Sequence, residues 1–469
     1  MKIDPGGAAG QSLKRPHPRE TLGRRGGKTP FLLAVIFLAL ALGLAAPGAR
    51  GTETPAVGGA QEAGAVTGAV NFDRAVRLAL VRSPYLTKSS LEIEVKKLDE
   101  RDSRYDLIPP VTFRTQYYVD QPPDVRGRPY SLNFISNNYN PVESYFTLQA
   151  KKLLTQIAVL AHMQVISDGI RKLGKMFLEM EALQQAAARQ ENLTALAREH
   201  LAYLQKRLHL GTVTSLEIKV AEQELAGAQA EKEHIAYSQN RLQENIKAFI
   251  GLKASQPLDL DYKDARRQVM GAFDPAAANL EQAKAHSYEL KIAALKKELQ
   301  SYNIMLAKAR LMPSFFLGAQ SPDPLSSSSR GLFFSVGLEV PVWDGFKRLR
   351  NISRQKTILR QLEADTHEKG NDVTGNWHEA QENVRAADIS RKSAQALEEL
   401  ARLKERQSEI RYHSGGEPLD VYLDGRKGLV EAQKNAFLKT MDYHLAVIKL
   451  RQLSGDLDAS YVDANSWQQ

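Results

Sequence analysis

Asp420 and Asp424 stand four residues apart, just past the glycine pair Gly415-Gly416, and Glu217 stands a short way past Gly211. Acids four apart on a helix share one face. Repeated around an axis, such carboxylates would do electrostatic work, since rings of acids are one way to build a constriction for cations. The same residues also suit plain helix starts. Thr214-Ser-Leu-Glu217 has the spacing of a capping box, and Pro418 in a first turn makes Asp420 a natural acid at the positive end of a helix. Other chemistry is not visible. The chain has no cysteine, so thiolate metal sites and disulfides are impossible. Its ten histidines are scattered, and His209, His378 and His413 make no ligand pairs at helical spacing. No phosphate loop, triad pattern or paired acid site occurs. The sequence therefore indicates no catalytic residues, no metal and no cofactor.

The elements that place these acids come from a duplication. An offset of 204 pairs Ala79 with Ala283, Ser83 with Ser287, Leu86 with Leu290, Leu107 with Leu311 and Pro109 with Pro313. It holds onward through Arg207 with Arg411, His209 with His413, Gly211 with Gly415 and Gly251 with Gly455. This divides the chain into a first repeat (71–251), a linker (252–274), a second repeat (275–455) and a tail (456–469). Each repeat opens with a helix, 72–106 behind Asn71 and 276–310 behind Asp274-Pro275, closed by Pro109-Pro110 or Pro313. Two strands follow in each, expected at 111–120 and 142–150, and at 314–320 and 332–340. Their residues alternate: Val111, Phe113, Thr115 and Tyr117 share one face, as do Phe334, Val336 and Leu338. Segments 121–140 and 322–330 read as exterior loops. Long helices then span about 151–207 and 349–413, roughly 85–95 Å each. Val373, Trp377, Ala380, Val384 and Ala387 carry a heptad seam on the second. Each turns at glycine (Gly211; Gly415-Gly416) and returns as 215–250 or 419–454, giving two helical hairpins.

The charge of +9 is concentrated at one end. Of 63 basic and 54 acidic residues, 1–51 hold eight and two, leaving 55 and 52 for the rest. So balanced a body argues against nucleic acid as a partner. The basic stretch precedes an apolar run, Phe31 to Ala46, and small residues, the pattern of a signal peptide over 1–50. Residues 51–70, rich in Gly, Ala, Thr and Pro, read as a flexible leader. Past residue 46 no run of eighteen apolar residues occurs, so the expected mode of spanning a membrane is a β-barrel.

Four strands cannot close a barrel, and open edges are not tolerated in lipid. The expectation is an α+β membrane protein of two tandem helix–strand–strand–hairpin repeats. Three copies would close a 12-stranded β-barrel above a long periplasmic α-helical barrel. The pattern also stays open to a periplasmic coiled-coil scaffold or adhesion protein whose strands form a small soluble sheet.

Several stretches carry a family resemblance: Ala75-Val-Arg-Leu-Ala-Leu80 with Ser83-Pro-Tyr-Leu86, Asp106-Leu-Ile-Pro-Pro-Val111, Leu338-Glu-Val-Pro-Val-Trp-Asp-Gly345 and Gly415-Gly-Glu-Pro-Leu-Asp-Val-Tyr-Leu-Asp424. In this order they resemble the TolC-type outer-membrane efflux proteins over roughly 71–456. The resemblance implies a homotrimeric channel-tunnel in outer-membrane lipid, a passive exit duct with no enzymatic activity. It implies partnership with a periplasmic adaptor (membrane fusion) protein and an inner-membrane transporter, in tripartite efflux or type I secretion. By position, Glu217, Asp420 and Asp424 match family carboxylates lining the closed periplasmic end. Leu210, Gly211, Thr212, Gly415, Gly416 and Glu417 fall on the tips expected to meet the adaptor. Where the family often places an arginine near the second turn as a lock, this chain has Glu417, with Arg411 nearby.

Overall fold

The computed structural model describes residues 69–117, 130–253, 255–262, 265–321, 333–340, 342–459 and 461. The expected signal peptide, nearly all of the leader, loop segments 121–129 and 322–330, and residues 462–469 of the tail lie outside the described residues.

Each expected opening helix is two helices. In the first repeat α1 (Phe72–Arg82) and α2 (Pro84–Tyr105) meet at Ser83, held extended at φ −65°, ψ 122°. Pro84 causes this, because its ring disfavours helical geometry in the residue before it. The second repeat bends at the matching place, Ser287, whose hydroxyl accepts from the Leu290 amide at 3.4 Å. There α6 (Leu280–His286) gives way to α7 (Tyr288–Ala309). The bend is duplicated in its bonds: Ser83 N–H to Ala79 O and Ser287 N–H to Ala283 O, both 2.9 Å. One start is displaced. Asp274 accepts from the Ala276 amide, but the helix begins only after Asn279, which caps Glu281 N–H at 3.1 Å.

Strands β1 (Thr112–Tyr117), β2 (Tyr130–Tyr139), β3 (Ser314–Ser321) and β4 (Phe333–Glu339) form one antiparallel sheet in the order β1-β2-β3-β4. The β2–β3 pairing joins the two repeats, and β1 and β4 are its edges. The strand expected at 142–150 is a correction: those residues are helical, and the true partner of β1 lies within the segment read as an exterior loop. The reason is local. Asn140 accepts from the amides of Val142 and Glu143, and Pro141 starts the helix with a preset φ. Asn140 also donates to Ala309 O at 2.8 Å, pinning this start to the end of α7.

The helix so begun, α3 (Pro141–His209), has 69 residues, about 100 Å. After its tip α4 (Ser215–Phe249) returns beside it. In the second repeat α8 (Lys347–His413) and α9 (Leu419–Leu453) do the same. Near the sheet α3 packs between α2 and α7; toward the tips it packs between α4 and α9, with α8 flanking α7 and α9. Part of α3 is apolar enough, by composition, to cross a bilayer. Its neighbours explain that: Ile166, Leu173, Phe177 and Leu178 are all buried among them. The expected seam of α8 is buried at Val373, Trp377, Ala380 and Val384.

The largest core lies midway along the helices. Phe72, Val76, Leu173, Phe177, Ile246, Ile448 and Leu457 form its centre. The linker belongs to it: Leu252, Leu258, Ala265 and Val269 are buried, the last two in α5 (Ala265–Met270). Val70 pairs in parallel with Leu260 and is fully buried, so the leader ends inside the core. The tail begins there too, with Leu457 in α10 (Asp456–Ala459), Asp458 bonded to the Tyr288 hydroxyl at 2.5 Å and Tyr461 bonded to Asp73.

Candidate functional site

The two tips are built alike. Gly211 N–H bonds to Leu208 O at 2.9 Å and Thr212 N–H to Arg207 O at 3.1 Å; 204 residues on, Gly415 N–H bonds to Tyr412 O at 3.0 Å and Gly416 N–H to Arg411 O at 2.8 Å. Gly211 and Gly415 have φ of +71° and +76°, where a side chain would be strained. Leu210, Gly211, Thr212, Gly415 and Gly416 are all exposed at these ends, Leu210 by 76%. Glu417 differs from them. Its carboxylate turns back on its own hairpin, accepting from the Ser408 hydroxyl at 2.6 Å and from Arg411 Nη1 at 3.0 Å. Those two bonds hold its pKa below the ordinary glutamate value.

The three candidate acids have different surroundings. Glu217 is exposed in the first turn of α4; its amide bonds to Thr214 Oγ1 at 3.3 Å, the helix-cap half of the reading above. Asp420 faces the other hairpin, with Oδ2 3.9 Å from Arg207 Nη1 on α3. Its Oδ1 is buried without a hydrogen-bond partner. Asp424 is 67% exposed and lies 3.6 Å from Lys427. The structure thus brings Asp420 to the seam between hairpins and leaves Asp424 and Glu217 in solvent.

A set of contacts joining the hairpins escaped the sequence reading. Lys427 bonds to Glu224 at 2.8 Å and lies 3.3 Å from His200 Nδ1. One heptad on, Lys434 reaches Glu231 at 3.3 Å and Gln190 at 3.4 Å. Arg426 and Glu199 add a pair at 4.0 Å. The signal available was the seven-residue spacing shared by Lys427 and Lys434 and by Glu224 and Glu231. It was hidden because the acids and bases sit 203 residues apart.

At the opposite end the sheet has one apolar face. Phe113 opposes Phe134 with ring centroids 5.0 Å apart, and the row continues through Ala319 to Phe334. Phe334 and Val336 are exposed by 78% and 77%, and Leu338 by 59%. Trp343 and Phe346 stack edge to face below β4. Exposed apolar side chains of this density are tolerated against lipid and not against water. Among the described residues no group of acids and histidines is placed to hold a metal.

Residues 279–456 match the family model described as outer membrane efflux protein. A membrane protein from Pseudomonas aeruginosa has a solved structure similar at TM-score 0.68 and 16% identity, with 82% of this chain and 90% of that one covered. The Campylobacter jejuni CmeC outer membrane channel aligns at TM-score 0.68 and 14% identity over 84% and 88%. The open state of the Neisseria gonorrhoeae MtrE outer membrane channel aligns at 0.63 and 15% over 82% and 89%. No curated protein matches the chain by sequence. Over more than four-fifths of its length the chain has the fold of these outer membrane channels, and its second repeat carries the match to the outer membrane efflux protein model.

Proposed function

We propose that the chain is one protomer of a homotrimeric channel-tunnel serving as the passive exit duct of a tripartite efflux or type I secretion system. The observation that carries this reading is the four-stranded sheet with two open edges and one exposed apolar face. Unpaired edge groups in hydrocarbon cost several kcal/mol each, so edge β1 of one copy needs edge β4 of the next. Three copies supply twelve strands. The long hairpins would then surround the duct in the periplasm, with the tips at Leu210–Thr212 and Gly415–Glu417 meeting an adaptor protein that links to an inner-membrane transporter. Asp420, Asp424 and Glu217 would narrow the tip end by their charge. A passive duct of this kind would take its energy from the transporter.

Light scattering of the detergent-extracted particle, followed by conductance in planar bilayers, tests this. The expected result is a mass of three chains and a cation-sensitive pore. A monomer, or a trimer without conductance at any voltage, would sink the reading.

A further inference from the structure

A trough of about 1140 Å³ runs along the helices between the sheet and the midway core, slightly larger than most small-molecule sites. Three helices each give it one face: α2 through Lys97, Arg101 and Arg104, α3 through Lys152, Val159 and Met163, and α7 through Tyr288, Lys291 and Leu295. The spacings are those of single helix faces, so the trough follows from helix geometry. Its two ends differ in character. Asp99 lies 3.2 Å from Lys151, and Thr155 Oγ1 donates to Lys96 O, which fixes the level of α2 against α3. The Gln164–Glu289 bond does the same for α7.

By this register the end nearer the sheet holds Lys97, Arg101, Arg104 and Lys152 against one lining acid, Glu100. Arg104 is paired with Glu100 at 2.7 Å. Among the described residues, Lys97, Arg101 and Lys152 have no acidic partner. Farther from the sheet the floor becomes apolar, with Val159, Leu160, Met163 and Leu295. Lys291 at that end lies over the Tyr288 ring, whose hydroxyl bonds to Asp458, so its charge is locally answered.

We propose that this trough binds an anionic amphiphile that enters from the aqueous periplasm, a carboxylate or sulfate head on the cations and an apolar body along α3. Charge complementarity selects the head, and the apolar floor selects a tail of moderate length. The order of the two ends argues against a lipid of the membrane itself. A phospholipid in the adjacent leaflet has its head on the periplasmic side of its tails, whereas here the cations lie on the membrane side of the apolar floor. The inference rests on the sheet being in the outer membrane and is independent of the exit-duct reading.

The test uses the full-length protein in lipid nanodiscs, labelled with dodecanoate carrying a terminal diazirine and mapped by peptide mass spectrometry. The expected result is saturable labelling of α3 between Val159 and Met163. The double variant K97E/R101E should weaken it by about tenfold or more, the loss expected from replacing two partly exposed attractions by repulsions. If that variant fails to assemble, K152Q should still weaken labelling by about threefold. Four outcomes would overturn the proposal. They are no label on α3, as when a neighbouring copy fills the trough; equal labelling by the uncharged dodecanol analogue; labelling unchanged in the variants; and labelling by photoactivatable phosphatidylglycerol from the bilayer in preference to the acid.

Discussion

His444 lies on α9 near Arg266 and Arg391, and its Nδ1 is buried without a hydrogen-bond partner. Burial first, and the two guanidinium groups second, lower its pKa from 6.5 to about 4. As pH falls below 6.5, an unfolded chain takes up a proton there that the folded chain refuses until about pH 4. Stability should therefore decline across that window. H444Q should flatten the slope by of order 1–2 kcal/mol over the window, read from denaturant midpoints at pH 7 and pH 4.5. Glu417 has the opposite sense. Its pKa is lowered by Ser408 and Arg411, so its contribution is complete above the ordinary value of 4.5 and is lost as pH drops through the lowered one. Amide exchange at Gly415–Glu417 should rise at that low pH, and E417Q should show the rise already at neutral pH. Asp420 and Asp424 make the functional prediction at this scale: the pair changed to Ala should raise conductance or alter cation block. Unchanged currents would return both to helix starting and surface charge.

Asn140 shows how one residue sets an element, since it caps α3 and ties it to Ala309. N140A should cost about 1–2 kcal/mol in thermal or denaturant unfolding, the loss of a cap whose second bond is buried. This residue also marks where the sequence was misread. Alternating aromatic and polar residues after Val142 mimic a strand, and the Asn-Pro start outweighs them because a preset φ and two capped amides stabilise a helix there. The hairpins were legible for a complementary reason: glycine with positive φ and a break in heptad pattern are local signals, visible at Gly211 and Gly415. Contacts between the hairpins were not legible, because pairing Lys427 with Glu224 needs the distance between helices, which no local pattern carries. K427E alone should weaken the association of α9 with α3 and α4, and K427E/E224K should restore it, with a coupling of about 0.2–1 kcal/mol by double-mutant cycle.

At the scale of the molecule, one end is made for hydrocarbon and the other for water. V336R, on the exposed apolar face of β4, should reduce the yield of folded membrane-inserted protein, at a cost of about 2–4 kcal/mol near mid-bilayer. The same change on the exposed helical surface, V220R, should be neutral. The core midway along the helices gives the whole its mechanics. Gly174 lies there, and a Cβ on it would meet Ile448 Cδ1 at 2.6 Å, so α3 and α9 approach as closely as side chains allow. From Leu173 in that core to Leu210 at the tip, α3 runs on for roughly 55 Å without a break. A stiff rod pivoting at one point multiplies small angles by its arm: a turn of about 5° at the core carries the tip through about 5 Å. In the proposed channel the core would serve as the fulcrum, and α3 would move together with α4 and α9, which pack along it toward the tips. In the proposed channel G174V, which would push α3 away from α9 at Ile448, should change the opening at the tips, read as a shift in single-channel conductance against wild type.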